Sequence, residues 1–221
     1  MDNNSTGHNV YNWTKEHLYK VLTTGKTPFV TEKLLAEAFL RIDRADFVPE
    51  NQKDFAYKDQ EIEIDLGEKL NSPIVIAQML NILNIQPGYI VLDLGTGSGY
   101  VSALIANMIG SNGFVYSLER NQQILELALK NLTKYAFKNY ELAFMDGANG
   151  LTSRAPFDAI HISFAYDSPP LNILEQLKIG GKLVAPMTNL EIKTFTRISE
   201  TEFTQSVITA HNFTKLRLGV E

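Results

Sequence analysis

A chain of 221 residues, 44% hydrophobic and 20% charged, is long enough for one substantial core and has the composition of an ordinary globular protein. The lack of cysteine excludes disulfides, thiolate chemistry and Cys-based zinc sites, and His8, His17, His161 and His211 are too scattered to form a metal-ligand pair. A formal net charge of −5 makes a nucleic-acid partner unexpected, and no apolar run approaches the length of a membrane span. The opening MDNNSTGHNV lacks the basic and apolar regions of a secretory signal, so a cytoplasmic protein is expected.

Residues 1–10 read as disordered, being polar and without period. Trp13, Leu18, Val21 and Leu22 then recur at helical spacing through Tyr11–Thr23. A second helix is expected over Glu32–Ile42, with Thr31 as its N-cap and Leu34, Leu35, Ala38 and Phe39 in its apolar stripe. Arg44–Asp59 has no clean period and reads as a structured loop. Ile62, Ile64 and Leu66 alternate as in a short strand. Gly67–Pro73 reads as a loop before a helix at Ile74–Leu83, and Pro87-Gly88 turns the chain into the next strand.

The stretch Val91–Tyr100, VLDLGTGSGY, is the one around which the rest of the chain is organised. A strand from Tyr89 to Leu94 runs into a turn with glycines at 95, 97 and 99, and a helix continues from Tyr100 to Met108. Glycine lets the chain tighten and brings a ligand close to bare backbone, while the free N–H groups of the next helix point at it. A dinucleotide site wants G-x-G-x-x-G, but the third glycine comes one residue early and Tyr100 fills its place. The D-x-G-x-G-x-G spacing of Asp93, Gly95, Gly97 and Gly99 is similar to the nucleoside turn of S-adenosylmethionine-dependent methyltransferases.

Strands at Phe114–Leu118, Glu141–Met145, Phe157–Ser163 and Lys182–Pro186 alternate with helices at Asn121–Tyr135 and up to Leu177, the mark of an open α/β sheet. Alternating runs at Lys193–Ser199 and Val207–Leu218 suggest antiparallel edge strands. The expected architecture is a Rossmann-like methyltransferase sheet, mostly parallel with antiparallel C-terminal edge strands, plus an N-terminal helical cap. Its divisions are a disordered 1–10, a cap at 11–66 and a methyltransferase core at 67–221, cap and core forming one compact unit.

Ligands of such sheets lie beyond the carboxyl ends of the strands. Glu119 ends the strand after the glycine turn, where an acid can accept hydrogen bonds from both ribose hydroxyls. Asp146-Gly147 ends the next, where the acid can receive an adenine amino group while Met145 or Leu118 packs on the ring. Thr96 and Ser98 complete the turn. Asp93, an acid within an apolar strand, needs hydrogen bonds, either from the turn and a cofactor ammonium or as a purely structural tie. His161, mid-strand between Ile160 and Ile162, reads as a satisfied core histidine.

The chain resembles the protein-L-isoaspartate O-methyltransferase family over roughly residues 30–190, through RADFVPE (44–50), AYKD (56–59), the frame of GEKLNSPIVIAQML (67–80), VLDLGTGSGY (91–100), APFDAI (155–160) and LEQLKIGGKLVAP (174–186). The resemblance implies S-adenosyl-L-methionine as methyl donor, S-adenosyl-L-homocysteine as product, and isoaspartyl residues of proteins or peptides as acceptor. It also places the 68–72 loop over the acceptor, with Asn71 and Ser72 as candidate catalytic residues and Lys69, Leu70 and Tyr166 as substrate contacts. Three places depart from the family pattern. Glu68-Lys69-Leu70-Asn71 stands for Gln-Thr-Ile-Ser, Phe164-Ala165-Tyr166 for Ala-Ala-Pro, and Phe213–Arg217 for Phe-Val-Pro-Leu-Thr. A different acceptor on the same fold (a peptide natural product, a small molecule or RNA) and a cofactor-binding protein without turnover stay open.

Overall fold

The computed structural model describes residues 13–210 and 219–220. The proposed disorder of 1–10, the expected strand beyond Ala210 and Phe213–Arg217 lie outside them. The chain opens with α1 (Lys15–Thr23) and α2 (Lys33–Arg41), followed by two 3-10 turns at Arg44–Phe47 and Glu50–Phe55 within the stretch expected to be a structured loop. A hairpin of β1 (Ile62–Asp65) and β2 (Glu68–Leu70) leads into α3 (Pro73–Leu83). The body then runs β3 (Ile90–Leu94), α4 (Tyr100–Ile109), β4 (Phe114–Glu119), α5 (Gln122–Leu132), β5 (Tyr140–Phe144), β6 (Phe157–Ile162), α6 (Leu171–Leu174), β7 (Leu177–Pro186), β8 (Glu191–Arg197) and β9 (Phe203–Ala210).

The main sheet has seven strands in the order β5-β4-β3-β6-β7-β8-β9. Pairs from β5 to β7 are parallel, and β7–β8 and β8–β9 are antiparallel. Successive strands grow outward from β3 to β5, and the chain then returns to the other side of β3 with β6. The crevice at that reversal is where such a sheet receives a ligand. Central strands β3 and β6 are buried on both faces, as parallel strands between helical layers must be.

The cap is welded to this body. Leu22, Leu35 and Ala38 are fully buried in one cluster with Leu104 and Ile105 of α4, and each fully buried leucine contributes on the order of 1.5–3 kcal/mol. The Tyr135 hydroxyl, beyond α5, donates to Asp46 at 2.8 Å and accepts the Asp43 N–H at 2.9 Å. The Tyr57 hydroxyl donates to Asp43 at 2.8 Å.

Local expectations give way where a distant partner intervenes. Thr31 is not the N-cap of α2; that position is Glu32, without a side-chain cap of its own. Asn81 of α3 instead accepts the N–H groups of Thr31 and Glu32 at 2.7 and 3.2 Å. The 67–73 loop contains β2, because Glu68–Leu70 pairs back onto β1. The helix expected up to Leu177 stops at Leu174, since Leu177 already pairs with Phe157 and begins a strand longer than the predicted Lys182–Pro186.

Candidate active site

The carboxyl ends of β3, β4 and β6 and the start of the loop after β5 converge on one cleft, with the β1–β2 hairpin as its opposite wall. Its space, mouth included, is about 930 Å³, within the range of small-molecule sites. Lining residues include Gly95, Thr96, Gly97 and Ser98 from the turn, Leu118 and Glu119 from β4, and Asp146 and Gly147 after β5. The hairpin side brings Glu68, Lys69, Leu70 and Asn71.

The turn is bare backbone held by its neighbours. Gly95 has φ of +82°, and a Cβ there would stand 2.3 Å from the Ser163 hydroxyl. That hydroxyl donates to the carbonyls of Leu94 and Gly95 at 3.0 and 2.6 Å. Gly95 and Thr96 N–H both reach the Leu118 carbonyl, which seats the turn on β4. The hairpin closes over it, with Ile64 Cδ1 3.7 Å from where a Gly97 Cβ would be.

Glu119 is 7% exposed, and its two carboxylate oxygens accept the Gly97 and Asn121 N–H groups at 3.0 Å each. Burial pushes its pKa above the usual carboxylate value; the Gly97 and Asn121 N–H groups pull it back, and the charge of Glu68 adds to the upward push. Each oxygen keeps a further lone pair for a hydroxyl donor. Asp146 Oδ1 accepts Ala148 N–H at 2.9 Å, and Oδ2 accepts Gly219 N–H at 2.5 Å. A buried acid thus stands beside an open backbone turn at one end of the cleft.

Five candidate residues are absent from this lining. Ser72 is the N-cap of α3, its hydroxyl accepting Val75 N–H at 3.3 Å, with Pro73 in the first turn. Gly99 has φ of +89° at the N-terminus of α4, and a Cβ there would press on Ala128 at 3.3 Å. Met145, a candidate for packing on the ring, is 40% exposed, and of that pair only Leu118 lines the cleft. Tyr166 is buried beside the rim and packs against Phe164, which does line the cleft. Burial raises its hydroxyl's pKa, and nearby Asp146 adds to the shift. Asp93 is fully buried under the turn, accepting Ser102 Oγ at 2.6 Å and pairing with His161 Nδ1 at 2.8 Å. It ties β3, α4 and β6 together. His161 Nε2 is buried with no partner among the described residues.

Ser163, at a strand end where the sequence expects ligands, lines the cleft and holds the turn. Sequence reasoning missed Arg44, which is 1% exposed and whose Nη2 donates to the Asn71 carbonyl at 2.8 Å. The guanidinium sits 5.4 Å from the Tyr100 ring centre. Burial lowers its pKa to about 10, so it stays charged at neutral pH. The RADFVPE segment was the available signal.

A sheet reversing at β3/β6, a glycine turn and a buried acid ending the next strand define the class of Rossmann-like methyltransferases. Two solved protein-L-isoaspartate O-methyltransferase structures share the fold. One, from Plasmodium falciparum and in complex with S-adenosyl-L-homocysteine, superposes with a TM-score of 0.77 at 21% identity over 86% of this chain and 92% of that one. The other gives 0.80 at 23% identity over 94% and 67%. Protein-L-isoaspartate O-methyltransferases of Methanosarcina mazei and Aeropyrum pernix are each 37% identical, over 78% and 80% of this chain and 71% and 68% of theirs. The sequence profile of the protein-L-isoaspartate(D-aspartate) O-methyltransferase family matches residues 14–217. The chain belongs to that family and is an S-adenosylmethionine-dependent methyltransferase. No helix among the described residues is long and apolar enough to cross a membrane.

Proposed function

We propose that this enzyme methylates the free carboxylate of isoaspartyl residues in proteins or peptides, with Glu119 and the 95–98 turn holding the donor and Asn71 facing the acceptor. One observation carries the reading. Arg44, in the RADFVPE segment that carries part of the family resemblance, bonds the Asn71 carbonyl and so supports the acceptor wall. Cap and core then work as one unit, the cap shaping the wall and the sheet holding the nucleoside.

The chemistry suits these residues. S-adenosylmethionine, when bound, supplies an electrophilic methyl on a sulfonium. A carboxylate with pKa near ~4 is already ionised at neutral pH and needs no strong base. The chain's task is to align the groups and exclude water. Ile76, Val101, Leu118 and Phe164 provide apolar walls, and the Asn71 amide can both donate to and accept from the acceptor.

Radiolabelled methyl transfer to an isoaspartyl peptide tests this, with a base-labile methyl ester as the expected product. Donor binding with no ester formed would reject the acceptor and favour the second reading, another carboxylate or small molecule, which the Glu68-Lys69-Leu70-Asn71 wall motivates. A cytoplasmic site of action fits a chain without cysteine.

A further inference from the structure

We propose that the N-terminal cap holds a small monovalent anion, of the size and charge of chloride, against the Arg44 guanidinium. The site lies outside the cleft described above and does not depend on which acceptor the enzyme uses.

Arg44 is almost fully buried, yet only its Nη2 is hydrogen-bonded, to the Asn71 carbonyl at 2.8 Å and the Gln60 carbonyl at 3.4 Å. The Nε–H and both N–H groups of Nη1 have no partner among the described residues. Two neutral carbonyls satisfy one nitrogen and leave the charge itself unbalanced. Asp59 acts on that charge without a bond to it, and accepts the Ile74 N–H at 3.3 Å instead. A buried cation without a counter-charge is costly, and so are its orphaned donors.

Arg44 also lines a cavity between α1, α2 and α4, with about 230 Å³ of space, mouth included. Within, it takes one body of about the size of a water molecule, and a chloride ion is only slightly larger. The charged residues of its lining are two cations, Lys15 and Arg44, and no acid. Leu18, Leu22 and Phe39 give it apolar walls. Tyr100 lines it as well, and burial pushes the pKa of that hydroxyl up, so it stays protonated and able to donate. Asp43, which bonds the lining Tyr57, is already engaged: it accepts the Tyr57 hydroxyl at 2.8 Å and the Ala45 N–H at 3.0 Å, and pairs with Lys15 at 3.7 Å. A water would bring its own donors to a wall that is rich in them. An anion only accepts, and it balances the guanidinium. Seated on Nε and Nη1, it fixes the same group whose Nη2 supports the hairpin through Asn71.

Two measurements test the site. Crystals of the protein grown in bromide should show an anomalous peak within hydrogen-bond reach of Arg44 Nε or Nη1. In solution, thermal unfolding is followed at constant ionic strength while chloride replaces gluconate, an anion too large for the cavity. The melting temperature should rise by about 3–5 °C once chloride is about tenfold above its dissociation constant. Arg44→Met should remove the difference between the two salts, and Tyr100→Phe, which keeps the guanidinium, should reduce it. Should Arg44→Met fail to fold, the bromide peak and Tyr100→Phe decide. Equal melting temperatures in both salts would overturn the proposal; a bromide peak at Arg44 would then be an adventitious ion only. A chloride effect that survives in Arg44→Met, or a bromide peak found only elsewhere, would overturn it too.

Discussion

The two walls of the cleft are built differently. The wall proposed to hold the nucleoside is backbone and strand end: a glycine turn seated on the Leu118 carbonyl, an acid bonded to two amides, and a buried Asp93–His161 pair beneath. The wall proposed to face the acceptor is a two-stranded hairpin outside the main sheet, steadied from behind by one buried guanidinium. The first wall is rigid because many parts of the fold depend on it. The second is thinner: it buries Ile62, Ile64 and Leu70 in the core and leaves Glu63 and Lys69 exposed.

Breaking the nucleoside wall should have the largest effect. Gly95→Ala puts a side chain at φ +82° and against Ser163; it should cost about 2–4 kcal/mol of stability and abolish donor binding, as read by urea unfolding and calorimetry. Glu119→Ala should weaken the donor by about 1–3 kcal/mol through an unpaired ribose diol; unchanged affinity would misplace the pocket.

The same acid gives a pH signature. Its pKa is raised in the folded protein, so between the ordinary carboxylate value and the raised one the folded state holds a proton that the unfolded state has released. Glu119 therefore makes stability fall as pH rises through that window. Glu119→Gln should flatten the fall in unfolding experiments run from about pH 4 to pH 7, while donor affinity drops.

On the acceptor wall the effects should be smaller and fall on the other substrate. Arg44→Met removes the tie to Asn71 together with a buried charge, two effects that oppose each other, so stability should move by less than about 2 kcal/mol. The KM for an isoaspartyl peptide should rise while donor affinity holds; equal loss of both would mean that the walls are not separable. Asn71→Ser leaves the carbonyl bonded to Arg44 in place and should raise isoaspartyl turnover by no more than about 1 kcal/mol in kcat/KM.

The elements most legible in the sequence were those whose signal is local. The strand and turn of 91–99 carried their own spacing, and RADFVPE and AYKD of the cap carried part of the family resemblance. Ser72 shows the limit of that legibility. It neighbours the acceptor loop, yet a serine before Pro73 and an apolar run is also the pattern of a helix cap, and the structure puts it at the N-terminus of α3. Asp93 reads equally as ligand or scaffold in the sequence because its partner, His161, stands on another strand 68 residues away.

By itself the sequence determined the periodicities, the glycine turn and the order of strands and helices, because these depend on neighbours within a few positions. Only the tertiary structure decided that Arg44 meets Asn71 and that Asn81 caps a helix far from it in the chain. Such contacts join residues whose separation leaves no period to read. They arise when the apolar faces of cap and sheet are buried together, which then leaves each polar group to find whatever partner that burial brings.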